Sequence, residues 1–327
     1  MMGWTDRHAR YFLRLITKHT LLYTEMVTTA ALKHGNTAQF LAHHENENPL
    51  ALQLGGSDPA ELADCARLAE DAGYDEVNIN VGCPSDRVRS GRFGACLMAC
   101  PELVADCVAA MRARVAIPVT VKCRIGIDNM ESYEAFENFI TVVAGAGCDT
   151  FIVHARKAWL QGLSPKQNRE IPPLKYDYVY RLKAEQPRLT VVINGGIKTI
   201  ADARRHLQQV DGVMIGREAY HNPWILADVD RTIFGDASGP DLSRSQIVLQ
   251  MCEYIDAEVA QGVPLHAITR HILGLYQGCP GARAWRRYLS ENSHADDADS
   301  TVVTAAMREV ERLLNNPKYN IASSATG

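Results

Sequence analysis

The chain contains no run approaching eighteen apolar residues, so nothing in it reads as a membrane-spanning helix. It also lacks an excess of positive charge: 34 Lys and Arg stand against 38 Asp and Glu, for a net charge of −4. A broadly basic nucleic-acid binder is thereby excluded, and a nucleic-acid partner would have to be held by local patches. The nine cysteines are odd in number, show no regular spacing and form no CxxC pair. With no signal-like leader visible, this points to reduced thiols in the cytoplasm rather than a disulfide framework. No metal site and no obligate protein partner are expected, and no internal repeat or low-complexity tract is visible.

What is present is ordinary globular composition, 46% hydrophobic and 22% charged over 327 residues. That length suits one large α/β domain with a smaller companion, or two medium domains. Short β-branched runs alternate with helical patterns. Strands are expected at Leu21–Met26, Pro49–Gly55, Glu76–Val81, Val119–Arg124, Thr150–His154, Thr190–Asn194 and Gly212–Gly216. Asp58-Pro59 opens one helix, with Leu62, Cys65, Ala69 and Ala72 along one face. Pro101 opens another carrying Val104, Val108 and Met111, and a third turns Tyr133, Phe136, Ile140 and Val143 inward. Cys65 and Cys107 fall among these apolar positions and read as core.

Continuous apolar runs such as Thr190-Val191-Val192-Ile193 suggest parallel strands covered on both faces. Seven such strands alternating with helices fit a doubly wound sheet or a (β/α)8 TIM barrel. A barrel would need an eighth strand ahead of Met1, so its first strand is expected to be truncated. After Gly235 the composition changes. Residues 235–240 read as a linker, and only helical patterns follow: Ile247–Gln261, Pro264–Tyr276, Ala284–Ser290 and Thr301–Asn315. The expected division is a barrel over residues 1–235 and a helical bundle over 241–320.

Chemistry concentrates at the strand ends, where barrel active sites lie. Gln53, Lys122, Arg124, His154, Arg156, Asn194 and Arg217 all interrupt or end apolar runs. For any one of them a helix cap or a satisfied core residue is an adequate reading; five strands doing so in series is not readily chance. Gly195, Gly196 and Gly216, with Arg217, would let a phosphate approach backbone N–H groups beside a helix start. Many barrels use such a site, so it does not by itself specify a ligand. Lys122 and Gln53 suit a flavin: a lysine offsets the negative charge of the reduced ring, and an amide both donates and accepts.

The sharpest local feature is Asn80-Val81-Gly82-Cys83-Pro84-Ser85. Cys83 lies just past a strand, between a glycine and a proline, and a glycine-rich loop from Ser90 to Cys96 follows. A small buried thiol is the commonest fate of a free cysteine. At a barrel mouth, a thiol that is mostly protonated at neutral pH can instead serve as an acid. As a nucleophile it would need a base, for which His154 is the candidate.

The segments Glu25–Thr29, Leu52–Gly56, Asn78–Ser85, Val121–Gly126, His154-Ala155-Arg156, Ile193–Ile197, Ile215-Gly216-Arg217 and Gly281–Arg287 together resemble the tRNA-dihydrouridine synthase family, A type. The resemblance runs from Met1 to about Asn292. It implies a barrel that binds FMN, reduced by NADPH, and a helical domain that binds tRNA at its D-loop and elbow. Hydride would pass to C6 of uridines at positions 20 and 20a, with Cys83 protonating C5. The FMN contacts it implies are Met1, Gln53, Lys122, His154, Asn194, Gly195, Gly196, Gly216 and Arg217. Asn80 would hold the uracil, and Lys166, Arg169, Arg283 and Arg286 would contact the tRNA. Only the methionine of the family's first strand turn is matched, so a protein starting at Met1 is expected to hold FMN weakly. Two other readings stay open: an FMN barrel reducing a free pyrimidine or enone, and an inactive RNA-binding chaperone. The first leaves the arginine-rich helical region unexplained; the second would suit a chain that had lost Cys83 or Lys122.

Overall fold

A computed structural model of the chain describes residues 1–85, 91–238 and 242–314. Seven parallel strands run in sequence order through one curled sheet: β1 (Leu22–Thr28), β2 (Leu50–Gly55), β3 (Glu76–Val81), β4 (Val119–Arg124), β5 (Thr150–His154), β6 (Thr190–Asn194) and β7 (Gly212–Met214). Helices follow most of the strands, as parallel connections require. This is the (β/α)8 barrel architecture with seven strands among the described residues. Five expected strands recur within a residue of their bounds. The first runs on to Thr28, and the last stops at Met214 rather than Gly216.

The connecting helices form where capping and periodicity place them. Asp58 accepts from the Glu61 N–H at 2.9 Å, with Pro59 in the first turn, and Leu62, Cys65, Ala66 and Ala69 are buried. Pro101 starts the helix Pro101–Arg112, which buries Val104, Cys107, Val108 and Met111. Ser132 caps Tyr133–Gly145, whose inward face is Tyr133, Phe136, Phe139, Ile140 and Val143. Burial pushes the Cys65 and Cys107 thiols up to about 11 and about 12, as expected of inert core cysteines.

Contacts divide the chain into two compact units. One comprises Met1–Gly3 and Leu21–Gly216 and holds the sheet. The other comprises Trp4–Thr20 with the chain from Arg217 onward and is helical. Within the helical unit, Arg7–Ile16 is capped by Asp6, and Arg7 pairs with Glu258 at 2.5 and 2.8 Å. The helices Arg244–Ala260, Ala282–Asn292 and Ser300–Leu314 match three expected ones.

The fourth is corrected: the expected helix Pro264–Tyr276 is helical only over Leu265–Thr269. Beyond it the backbone N–H groups of Ile272, Leu275 and Gln277 reach back three residues rather than four, giving successive tight turns. In these turns the chain comes close to its neighbour: a Cβ on Gly274 would stand 2.5 Å from the His221 carbonyl oxygen, an approach that glycine allows.

Trp285 is fully buried, and its indole N–H donates to the Ile272 carbonyl at 3.0 Å, tying Ala282–Asn292 to those turns. Trp285→Ala is expected to cost the helical unit about 3–5 kcal/mol. Chemical denaturation followed by circular dichroism measures it, and a loss under about 1 kcal/mol would contradict this anchoring role.

Candidate functional site at the mouth of the barrel

Parallel register aligns the polar residues of neighbouring strands. Gln53 pairs with Asn78, Asn78 with Thr120, and Asn80 with Lys122. Side chains alternate across a strand, so Glu76, Asn78 and Asn80 share one face of β3, and Thr120, Lys122 and Arg124 one face of β4. Lys122 reaches across the barrel, its Nζ 3.2 Å from Asn194 Oδ1 on β6, which identifies this face as the interior. Asn194 in turn donates to the Met214 carbonyl at 2.8 Å.

Cys83 is held by its backbone. Its N–H and that of Gly82 both donate to Asn80 Oδ1, at 2.9 and 3.0 Å. Its carbonyl accepts from the Ala95 N–H at 2.9 Å, so residues 94–99 brace it from the other side. The Gly82 carbonyl accepts from Arg124 Nε at 2.9 Å. Arg124 is almost wholly buried, and its Nη1 also bonds the carbonyls of Lys157 and Asn168 at 3.1 and 2.9 Å. One guanidinium thus fastens the Cys83 loop to the long loop after β5. Burial lowers it to about 10, which leaves it charged at neutral pH. The thiol remains half-buried, 3.5 Å from the Ser85 hydroxyl. Ser90, expected to open the loop that follows, lies outside the described residues.

His154 ends β5, and burial beside Arg124 and Lys122 drives its ring well below the usual histidine value, so it is neutral. It packs on Gly195. That glycine has φ +117°, and a Cβ there would lie 2.6 Å from His154 Cδ2, so only glycine fits both the turn and the ring. Tyr176 donates to the Gly195 carbonyl at 2.6 Å. Gly196 follows at φ +75°, and beside Gly216 the nearest side chain is Met1, whose Sδ would lie 3.4 Å from an added Cβ. Gln53, Asn80, Cys83, Lys122, His154, Asn194, Gly195, Gly196, Gly216 and Met1 therefore belong to one unit. Lys166 is exposed and Arg169 partly so, both in the loop after β5. A groove of about 600 Å³ opens between Pro84 and residues 160–165 of that loop. Arg217 starts the helix Arg217–His221 and belongs to the helical unit. So do Arg283 and Arg286; Arg283 is exposed and Arg286 donates to Gln277 at 2.8 Å.

The arrangement suits a planar ligand with an anionic edge. Lys122 is desolvated enough to fall to about 8. Beside it stand amides that offer both donors and acceptors, and the glycine turn Gly195-Gly196, both at positive φ. Among the described residues, no cluster of His, Cys, Asp or Glu could hold a metal.

A sequence model of the family described as dihydrouridine synthase matches residues 1–311. The chain belongs to the dihydrouridine synthase family. It is 62% identical over 311 residues to a tRNA-dihydrouridine(20/20a) synthase of Escherichia coli (strain K12), covering 95% of this chain and 90% of that protein. A protein of the same name from Vibrio parahaemolyticus is 58% identical over 316 residues, covering 96% of each. The fold is similar to that of a solved 2-naphthoyl-CoA reductase, with TM-score 0.51 and 12% identity over 69% of this chain and 47% of that one. Among the described residues no helix is long and apolar enough to cross a membrane.

Three residues that build the polar barrel interior do not stand out from the strands: Glu76, Asn78 and Thr120; Arg124 does stand out, but its part in fastening two loops does not. The signal was available as alternation, since Glu76-Val77-Asn78-Ile79-Asn80 is polar at every second position.

Lys122 gives a prediction for the ligand-free chain. Its folded value of about 8 lies below the ordinary lysine value of 10.5, so the unfolded state binds its proton more tightly. The resulting destabilisation is complete below pH 8 and disappears as pH rises towards 10.5. Lys122→Met should therefore stabilise the ligand-free protein at neutral pH, on the order of 1–3 kcal/mol. Denaturation across pH checks the sign: the gain should fade above pH 8, and a pH-independent gain would remove desolvation as its cause.

Proposed function

We propose that this chain reduces uridines of the tRNA D-loop to 5,6-dihydrouridine with FMN as cofactor and NADPH as reductant, at positions 20 and 20a. The observation that carries the reading is the clamped backbone of Cys83 at the barrel mouth in a member of this family. In this reading residues 1–235 bind the flavin and residues 241–320 bind tRNA, including its elbow.

Lys122, Gln53, His154, Asn194 and Met1 would hold the flavin ring and its chain, and Gly195, Gly196, Gly216 and Arg217 its phosphate. Lys122 suits the ring edge because a desolvated ammonium gains most from a facing negative charge. Bound there, the flavin would supply a hydride for C6 of the uracil. Cys83 gives its thiol proton to C5, so the C5–C6 double bond is saturated and the thiolate recovers its proton from solvent. A cysteine whose backbone is held, with that of Gly82, by Asn80, Ala95 and Arg124 starts its side chain from a fixed place. Its neighbour Ser85 is a hydroxyl rather than a base, and burial beside Arg124 and Lys122 makes the His154 ring a weak proton acceptor, which favours an acid over an activated nucleophile.

A stacked uracil cannot reach Cys83, so the base must leave the helix, at a cost of about a few kcal/mol. Phosphate contacts from Lys166, Arg169, Arg283 and Arg286 would offset it. Such local cations supply what a net charge of −4 does not. Asn80 would hold the extruded uracil through its amide N–H.

Mass spectrometry of D-loop fragments after incubation with FMN, NADPH and unmodified tRNA tests the reading. Cys83→Ala should lower dihydrouridine formation about 10²–10⁴-fold while retaining flavin. An unchanged yield would falsify the acid assignment, and free uridine reduced as fast as tRNA would favour a small-molecule reductase. Arg283→Ala with Arg286→Ala should weaken tRNA binding across sequences and flatten its salt dependence by about one unit per arginine. Binding measured from low to moderate salt checks this, and an unaltered slope would remove both arginines from the interface.

A further inference from the structure

The polar groups inside the barrel form one directed chain. Asn80 Nδ2 donates to Gln53 Oε1 at 2.7 Å, and Gln53 Nε2 donates to Asn78 Oδ1 at 2.9 Å. Asn78 Nδ2 donates to Thr120 Oγ1 at 2.8 Å, and Thr120 donates to Glu76 Oε1 at 2.6 Å. Tyr23 donates to the same oxygen at 2.5 Å, as a side branch. Every bond points the same way, from the Cys83 loop towards Glu76 at the opening residue of β3.

The direction follows from chemistry at both ends. Glu76 Oε1 can only accept, so Thr120 must direct its single O–H to it and receive Asn78 through a lone pair. That turns the Asn78 amide nitrogen towards Thr120 and its oxygen towards Gln53. Gln53 must then face Asn78 with nitrogen and Asn80 with oxygen. At the other end Asn80 Oδ1 accepts two backbone N–H groups, which independently turns its nitrogen towards Gln53. Each amide would otherwise have two orientations of similar shape. Glu76 is 8% exposed, and among the described residues no basic side chain is hydrogen-bonded or salt-bridged to it. Burial raises its carboxyl, yet the chain needs only that Oε1 carry no proton.

We propose that Glu76 is a positioning residue: as the terminal acceptor of this chain it holds, together with the Gly82 and Cys83 N–H groups at the other end, which atoms Gln53 and Asn80 present to the pocket. With its oxygen occupied twice, Asn80 has only an N–H left to offer. Gln53 keeps one N–H and one oxygen lone pair in fixed places. The pocket therefore meets its ligand with a donor where Asn80 stands, which admits a carbonyl edge and repels an amino edge. That consequence rests on the proposed function; the chain itself does not.

The test uses the 327-residue chain with Glu76→Gln, Thr120→Val, Thr120→Ser and Tyr23→Phe. In the first variant the new amide could donate to Thr120 and release the chain's direction. Valine removes the Thr120 hydroxyl at unchanged shape, serine keeps it, and phenylalanine removes only the side branch. Amide hydrogen exchange at Gly82 and Cys83 in the ligand-free protein should rise about tenfold or more in the first two and stay within about twofold in the others. FMN affinity by fluorescence titration should fall about tenfold in the same two, with a shifted absorbance band of the bound flavin. Unchanged exchange in E76Q and T120V overturns the chain whatever the pocket binds. Altered exchange with unchanged FMN affinity overturns its reach into the pocket. Losses that track the melting temperature across all four variants overturn it as well, since they mark a merely structural role. A wild type with the expected exchange but no FMN binding sinks the flavin reading instead.

Discussion

Two consecutive backbone N–H groups, those of Gly82 and Cys83, converge on Oδ1 of Asn80 at 3.0 and 2.9 Å. Such a pair would be unsatisfied where β3 leaves the sheet, because ladder bonding stops there. Supplying the acceptor from the strand's own last inward side chain ends the ladder and sets the angle at which the chain departs. The thiol's location follows from that angle. Arg124 then fixes the preceding carbonyl and Ala95 the following one, so the loop is determined from three directions without using the sulfur. A reactive atom positioned in this way keeps its own bonding capacity for a ligand.

The same amide has a second consequence. Once Oδ1 is occupied, the nitrogen must find an acceptor, and the nearest is an amide that needs one in turn. A barrel interior is ordinarily filled with branched apolar side chains. Here β2, β3 and β4 fill part of it with Gln53, Asn78, Asn80 and Thr120, and buried polar groups must be partnered or they cost of order 1–3 kcal/mol each. The carboxyl of Glu76 closes the series. A network satisfied throughout rigidifies a core, whereas the same groups half-satisfied would loosen it.

Much of this was legible along the chain. Gln53, Lys122, His154 and Asn194 stand out because each breaks an apolar run, and the structure brings all four into one unit. Arg283 and Arg286 were legible as a cluster, and the helix Ala282–Asn292 turns Trp285 and Leu289 inward while leaving Arg283 exposed. Asn78 and Thr120 were missed because strands covered on both faces read as apolar, and single polar residues within them look incidental. Their meaning depends on register, which pairs Asn78 with both Gln53 and Thr120 and is set by neighbouring strands rather than by either segment alone. The tight turns after Thr269 were hidden for a related reason. Helical periodicity continues through Leu275, but the close approach of Gly274 to the His221 carbonyl is a tertiary fact.

Lys122 and Arg124 sit two residues apart on one strand face and are used oppositely. Arg124 directs its donors at three backbone carbonyls, a task that suits a rigid planar fork with several N–H groups. Those three bonds are made before any ligand arrives. Lys122 reaches one amide oxygen at 3.2 Å, and its lowered value of about 8 records the incomplete replacement of its water. A point charge left in that condition raises the free energy of the ligand-free state. An anionic ring edge placed against it removes part of that cost on binding, so the penalty becomes affinity for ligands of one charge. Exchanging the two residues would reverse the logic: a lysine has too few directed donors to fasten both loops, and an arginine facing the pocket would be too bulky and too well satisfied to respond. The order of the two cations along β4 thus separates the group that builds the site from the group that waits for its ligand.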